Sequence, residues 1–365
     1  MTAGERAGHH PDDGPADRGR SGTAEGQRAA DGSDAEDARD APVDDAARQP
    51  VCIFAPAPQL TITIEQTVDE RADLHVHPGG QGIWVARVVR TLGLRPVVCS
   101  PFGGETGALA RGLATDEGFD VRCVETGGAN GAYIDDRRGG ERELLVEIPA
   151  AVLTRHELDD LYSLTLEAAV ESGVCVVTGT HADRIIPVET FRRLAADLRV
   201  NDVVVVADLT GEPLDALLDA GIDILKISHE ELADAGLADG SDESVRMAIG
   251  GLRSRGARDV VVSRAELSTL AAMGDTLYDV AAPKLEVVEA RGAGDSMTAG
   301  LAVGAALDLG PVETLQLAAA AGASNVTRHG VATGGREVID ALLERVEVTA
   351  LSVIARSAAT VRSGS

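Results

Sequence analysis

Two kinds of segment alternate along this chain, and that alternation limits its fold more than any other feature. Val51–Phe54, Pro96–Ser100, Val174–Thr178, Val203–Ala207, Ile224–Ile227, Asp259–Ser263 and Thr269–Met273 are short runs with apolar residues side by side. Strands buried on both faces of a parallel sheet have this pattern. Between them, Gly82–Leu92, Thr106–Glu117, Arg155–Ser172, Pro187–Asp197 and Glu243–Ser254 carry a helical period. The alternation predicts an α/β fold: an open, doubly wound, mostly parallel sheet with helices on both faces. Two stretches depart from it. Gly131–Ile148 reads as a hairpin around a polar turn, and Thr61–Val68 alternates apolar with polar residues. Together they predict a small β lid over the carboxyl ends of the strands, where such sheets bind ligands and where a cover excludes water.

At 365 residues the chain has room for about two domains or one large α/β unit. Residues 1–50 hold 12 acidic and 6 basic side chains and no Leu, Ile or aromatic residue. Such a segment buries too little apolar surface to offset its ordering entropy, so a disordered acidic tail is expected there. The folded unit is expected over 51–347, with lid segments at about 58–77 and 121–148, and a loosely ordered tail over 348–365. A formal charge of −26 and an aromatic content of 2% argue against a nucleic-acid partner, which needs a basic face and stacking platforms. No apolar run reaches the roughly 18 residues of a membrane span. Cys52, Cys99, Cys123 and Cys175 are widely spaced, without a metal-ligand pattern. Three of them fall in or beside strand-like runs as small hydrophobes, and a cytoplasmic location is expected.

The segment that carries chemistry is LEVVEARGAGDSMTAGLAVGAAL, residues 285–307. The apolar run Leu285–Val288 predicts a strand, Gly292-Ala293-Gly294 a tight turn, and the small-residue stretch from Asp295 a long helix. Glycines ahead of a helix let backbone N–H groups converge on an anion with the helix dipole assisting. Asp295 stands where that anion would lie. It is either a general base, with Gly292, Ala293 and Gly294 holding the charge on a transferred group, or an N-cap of the helix. For phosphoryl transfer an ordinary carboxylate suffices as base, because positioning and charge neutralisation dominate.

RGAGDSMTAGL resembles the second signature of the PfkB/ribokinase family of carbohydrate kinases. HPGGQGIWVARVVRTLG (77–93) resembles its first signature, and SPFGGETGALARGL (100–113) the Gly-rich turn that follows. VVTGT, VVADL, ILKISHEEL, VVVSRAELSTL and NVTRHGVAT fall in the family's order. The similarity spans about 51–347 and is greatest to the 1-phosphofructokinase and tagatose-6-phosphate kinase branch. It implies a ribokinase-like fold, a kinase dependent on ATP and Mg2+, and a homodimer through the lids. It places Asp295 with Gly292, Ala293 and Gly294 at the catalytic centre. Lys226, Ser228, Ser263, Ala265, Ser268, Gly294 and Gly330 fall on the nucleotide, and Glu231 on the metal. Gln59, Gly79, Gly80, Gln81, Trp84 and Asp295 fall on the small-molecule sugar or sugar-phosphate substrate.

The chain departs from that pattern on both sides. Gln59 stands where the branch keeps a sugar-binding Asp, Gln81 where it keeps a lysine, and Trp84 where it keeps an Asn. Gly127–Ala132 offers no cation ahead of the lid strand. On the nucleotide side Ser228 replaces an Asn, and Ala265 and Ser268 replace two glycines. Arg137, Arg138 and Arg142 are expected to form a solvated hairpin tip. His75 and His77, with Asp73, are expected to flank the substrate mouth or solvent, and His181 and Asp183 follow a strand end and face either the substrate or away from it. Besides a sugar-phosphate kinase, two readings stay open at this point: a kinase for a free sugar or nucleoside, and a ligand-binding relative with little turnover.

Overall fold

The computed structural model describes residues 48–67, 69–139, 142–179, 185–286, 291–326, 332 and 334–353. The chain runs β1 (Pro50–Phe54), β2 (Gln59–Gln66), β3 (Ala72–Gly79), α1 (Gln81–Thr91), β4 (Arg95–Gly103), α2 (Gly104–Asp116) and β5 (Asp120–Thr126). It continues with β6 (Gly131–Asp136), β7 (Glu143–Ile148), α3 (Arg155–Ser172), β8 (Val174–Thr178), α4 (Val188–Val200), β9 (Val204–Asp208), α5 (Gly211–Ala220), β10 (Ile222–Ser228), α6 (His229–Asp234) and α7 (Asp242–Arg255). The last elements are β11 (Ala257–Ser263), β12 (Thr269–Met273), β13 (Thr276–Ala281), α8 (Ala293–Ala306), α9 (Pro311–Asn325), α10 (Arg336–Leu343) and β14 (Glu347–Val353).

Ten strands form one sheet in the order β14-β13-β12-β11-β10-β9-β8-β1-β4-β5. The seven from β11 to β5 are parallel, and β12, β13 and β14 extend the edge antiparallel. The side-by-side apolar pattern has its expected cause. In β1, Cys52 and Phe54 enter the core under α3, α4, α5 and α7, while Val51 and Ile53 enter the core under α1, α8, α9 and α10. The cysteine thiols of Cys52, Cys99 and Cys175 are buried in the first of these cores, as expected of small hydrophobes. Helices α8 and α9 are built almost wholly of small residues, and their backbones touch. A Cβ on Gly300 would stand 2.5 Å from the Ala318 Cα.

The second sheet is the lid, in the order β3-β2-β6-β7. Asn130 pins its roots: its amide nitrogen donates to the carbonyls of Pro58 (3.2 Å) and Pro101 (3.0 Å), and its oxygen accepts from the Gly103 N–H (2.8 Å).

Three expectations are corrected. Residues 348–353 belong to β14, an ordered edge strand. Its exposed face has none of the apolar alternation by which a strand is recognised. Asp120–Thr126 lies in the large sheet rather than the lid, because it pairs with β4. Leu285 and Glu286 are irregular rather than strand. Residues 1–47, Gly330, His181 and Asp183 lie outside the described residues.

Candidate active site

The parallel strands end in a row of polar residues. Thr178, Asp208, Ser228 and Ser263 close β8, β9, β10 and β11, and Ser228 pairs directly with Ser263 across the ladder. The head of α8 arrives above this row. Gly292 caps it in the left-handed conformation (φ 82°), which costs a residue with a Cβ about 1–2 kcal/mol. The Ser296 N–H already bonds the Gly292 carbonyl (2.9 Å). The N–H groups of Ala293, Gly294 and Asp295 are therefore left at the open end of the helix. From α9, the Asn325 amide braces this turn by donating to the Arg291 carbonyl (2.6 Å).

Lys226 lies directly beneath the turn. A Cβ on Gly294 would stand 2.5 Å from its Nζ, so only glycine lets backbone and ammonium approach this closely. Lys226 is 6% exposed and pairs with Asp208 (3.4 Å), itself 2% exposed. The Thr298 hydroxyl, one turn into α8, donates to the same carboxylate oxygen, Asp208 Oδ2 (2.6 Å). Burial alone would push the Lys226 ammonium down. The carboxylates of Asp208, Glu231 and Asp295 outweigh it and hold its pKa above the ordinary lysine value.

Asp295 is buried, and burial pushes its carboxyl up from 3.8 to about 7. Asp208 and Glu231 add to the rise, while Lys226 and a hydrogen bond from Gln81 pull against it. An ordinary carboxylate would suffice for phosphoryl transfer, but this one is poised near neutrality, a value that suits a general base.

Gln81 also differs from expectation. Its Nε2 donates to the Asp208 carbonyl (3.1 Å), and its Oε1 accepts from the Gly179 N–H (3.1 Å). The side chain thus turns inward and bridges the strand ends to Asp295, rather than reaching out toward a substrate. Gln59 opens β2 opposite Gly79 and Gly131, and Gly80 caps α1 beside it. Gln59, Gly79, Gly80, Gln81 and Trp84 are thus gathered at one lid root. Trp84 is half-buried against the core of α1 and lies under the Arg291 guanidinium (5.3 Å to the ring centre).

At the end of β10, Ser228 and Glu231 form a capping box on α6. The Glu231 carboxylate accepts the Ser228 N–H (2.7 Å), and the Ser228 hydroxyl accepts the Glu231 N–H (3.2 Å). Ala265 adopts φ 46°, the left-handed geometry that a glycine would take there without strain. Arg264, 3% exposed, clamps the turn. It bonds Asp242, the Ser268 carbonyl (2.5 Å) and the Ser268 hydroxyl (3.0 Å). The Ser268 hydroxyl in turn donates to Asp279 (2.6 Å). Ser268 is thereby part of the clamp.

At the hairpin tip Arg138 is exposed and pairs with Asp136, and Arg142 is exposed as well. It is held by buried Asp135 (2.7 Å) and packs on Tyr133 (5.3 Å to the ring centre). His75 stacks on His77 on an outer lid strand and pairs with Asp73 (3.2 Å). Among the described residues, Asp208, Thr298, Tyr133 and Arg291 are site residues that sequence reasoning missed. Only Asp208 carried a signal, as the acidic residue ending a buried parallel strand at its ligand-facing end.

The sequence profile described as "pfkB family carbohydrate kinase" matches residues 52–337. The chain is 27% identical to the 1-phosphofructokinase of Bacillus subtilis over 75% of its length and 89% of the relative's. It is 30% identical to the ATP-dependent 6-phosphofructokinase isozyme 2 of Escherichia coli, over 72% and 82% of the two chains. The structure of phosphofructokinase-2 from Escherichia coli in complex with substrates and products superposes with a TM-score of 0.71 at 25% identity, covering 81% of this chain and 99% of that one. A ribokinase-like sheet, a β lid and a Gly-Ala-Gly-Asp turn above a buried lysine accompany a match over most of the chain, and the protein belongs to the pfkB family of carbohydrate kinases.

Proposed function

We propose that this sugar kinase transfers the γ-phosphoryl group of ATP to a hydroxyl of a sugar phosphate, with Asp295 as the general base. The observation that carries the reading is a buried carboxyl of pKa about 7 at the head of α8, beside helix amides that have no partner within the helix. A hydroxyl between Asp295 and the γ-phosphorus gives its proton to the carboxylate as its oxygen bonds the phosphorus, and the bond from that phosphorus to the β–γ bridging oxygen breaks to release ADP. The N–H groups of the Gly292–Gly294 turn and the Lys226 ammonium take up charge on the transferred group. The relatives named for phosphofructokinase activity support a phosphorylated sugar as acceptor, and the name of the Escherichia coli isozyme supports ATP as donor.

Mg2+ is held through one or two carboxylates together with substrate phosphates rather than in an all-protein cage. The single carboxylate of Glu231 on the nucleotide side fits that donor set, and the cation would neutralise polyphosphate charge there. Ser228, Ser263 and the Ala265 turn line the same side. The lid leaves Leu74, Leu144, Leu145, Val146 and Ile148 exposed on its two edge strands, an apolar surface that supports pairing of two copies through their lids.

The test is consumption of ATP with Mg2+ against a panel of sugars, sugar phosphates and nucleosides. Asp295→Ala is expected to lower kcat by roughly 10²–10⁴-fold while ATP affinity, read by titration, stays within a few-fold. Loss of ATP binding in parallel would make Asp295 a structural residue and end its assignment as base.

A further inference from the structure

The positive charge that the sequence lacks at Gln81 and at Gly127–Ala132 enters the site from two other places. Gln59, Tyr133, Arg142, Leu144, Glu147 and Arg291 line a cavity of about 250 Å3 between the lid and the head of α8. Its two guanidinium groups share one aromatic ring. Arg142 lies 5.3 Å and Arg291 5.4 Å from the centre of Tyr133, and Arg291 also lies 5.3 Å from the centre of Trp84. Trp84, Arg291, Tyr133 and Arg142 thus form a continuous ladder from the body to the lid.

Such packing has a chemical consequence. A guanidinium held by its face against an aromatic ring keeps its N–H fork at the edge, in the plane that matches a phosphate or carboxylate. Asp135 fixes Arg142 through Nε (2.7 Å), a second restraint on its orientation. Arg142 is already paired with Asp135, and its guanidinium and that of Arg291 stand on the same ring, so an anion in the cavity meets two sets of N–H donors. Glu147 is the one acidic side chain among the described residues lining the cavity, so it opposes an anion there. The position is also specific. Arg291 immediately precedes the Gly292 turn and is four residues from Asp295. A small molecule anchored at the arginines extends from there toward the base.

We propose that Arg142 and Arg291 form the anion-recognition subsite of the acceptor. They select a phosphate monoester on a small polyol and take over the charge that a lysine at position 81 would have supplied. The proposal deepens the kinase reading given above and rests on it for the placement of the acceptor hydroxyl. Arg142 and Arg291 are specificity residues that touch the non-reacting end of the substrate.

Binding and turnover, measured separately, test it. The probes are fructose 1-phosphate, fructose 6-phosphate and free fructose by calorimetry, with inorganic phosphate as competitor. Wild type is expected to bind at least one of the phosphorylated sugars tenfold or more tightly than fructose, and phosphate is expected to compete. Arg291→Met keeps the stem against Trp84 and removes the charge. It should weaken binding of the phosphorylated sugar, and raise its KM, by roughly ten- to hundred-fold, with ATP affinity within twofold as the check on folding. Arg291→Lys should recover part of the loss. Glu147→Gln, at an exposed position, should tighten the same binding, an effect of the opposite sign that no unfolding can mimic. Equal binding of the phosphorylated sugars and fructose by wild type, or unchanged discrimination in both Arg291→Met and Arg142→Met, overturns the subsite even if the enzyme turns over. Intact discrimination without turnover on any acceptor upholds the subsite and removes the catalytic reading instead.

Discussion

Two turns face each other across the strand ends, one at Arg291–Asp295 and one at Ser263–Ser268. Both contain a residue in the left-handed region, Gly292 at φ 82° and Ala265 at φ 46°. The first turn stands over a buried ammonium and must bring its backbone against Lys226, so its shape depends on residues without side chains. The second is held from outside by the Arg264 clamp to Asp242 and Ser268. A clamp of that kind can impose a left-handed residue on alanine at a cost of about 1–2 kcal/mol. Glycine at position 294 keeps the backbone against the ammonium, which a Cβ would displace, whereas at position 265 the surroundings dictate the conformation and alanine stands in for glycine.

Removing Lys226 should have the largest effect on this contrast. Lys226→Met leaves Asp208 buried without its cation and should cost about 3–5 kcal/mol of stability, measured as a fall in urea midpoint at unchanged slope. Because Lys226 pulls the Asp295 carboxyl down, the same variant should move its titration toward higher pH. A stability within 1 kcal/mol of wild type would show that the first turn does not depend on its buried charges.

The pH profile comes next. The base works deprotonated, so kcat/KM for the acceptor should fall tenfold per pH unit below about 7 and level off above it. Stability should show the opposite trend. Between 3.8 and about 7 the folded chain keeps a proton that the unfolded chain has released, so this group lowers stability as pH rises through that window. Asp295→Asn should therefore be more stable than wild type at pH 8, by at most about 4 kcal/mol, and should match it more closely at pH 4. A profile flat from pH 5 to 8 would mean that the first turn does not perturb its carboxyl.

The smallest effect belongs to the second turn. Ala265→Gly should raise stability by about 0.5–1 kcal/mol, the relief of a strained φ less the entropy of a freer unfolded chain. Destabilisation of that size would show that the clamp and the alanine are matched and that no strain is stored there.

Legibility in the sequence followed the same physics. Strands buried on both faces were readable from their apolar runs, and the turn at the head of α8 from its glycines. Strand β14 was not, because an exposed edge carries no burial pattern. Arg142 is exposed as its charge suggests, but its partners Asp135 and Tyr133 were not legible, because they reach it only through the hairpin pairing. Gln81 looked substrate-facing because a side chain's direction depends on which polar groups the fold sets around it, here Asp208, Gly179 and Asp295. Arg291 was in plain view beside the glycine turn, yet its meaning lay in an aromatic ring about 160 positions earlier in the chain.

The bare contact of α8 with α9 bears on how the enzyme cycles. With Gly300 seated against the Ala318 backbone, the helix that carries Asp295 has no slack to slide or tilt without dragging its neighbour. The proposed base therefore stands on a helix locked to its neighbour, while the four-stranded cover is tied to the body at its roots by the Asn130 amide.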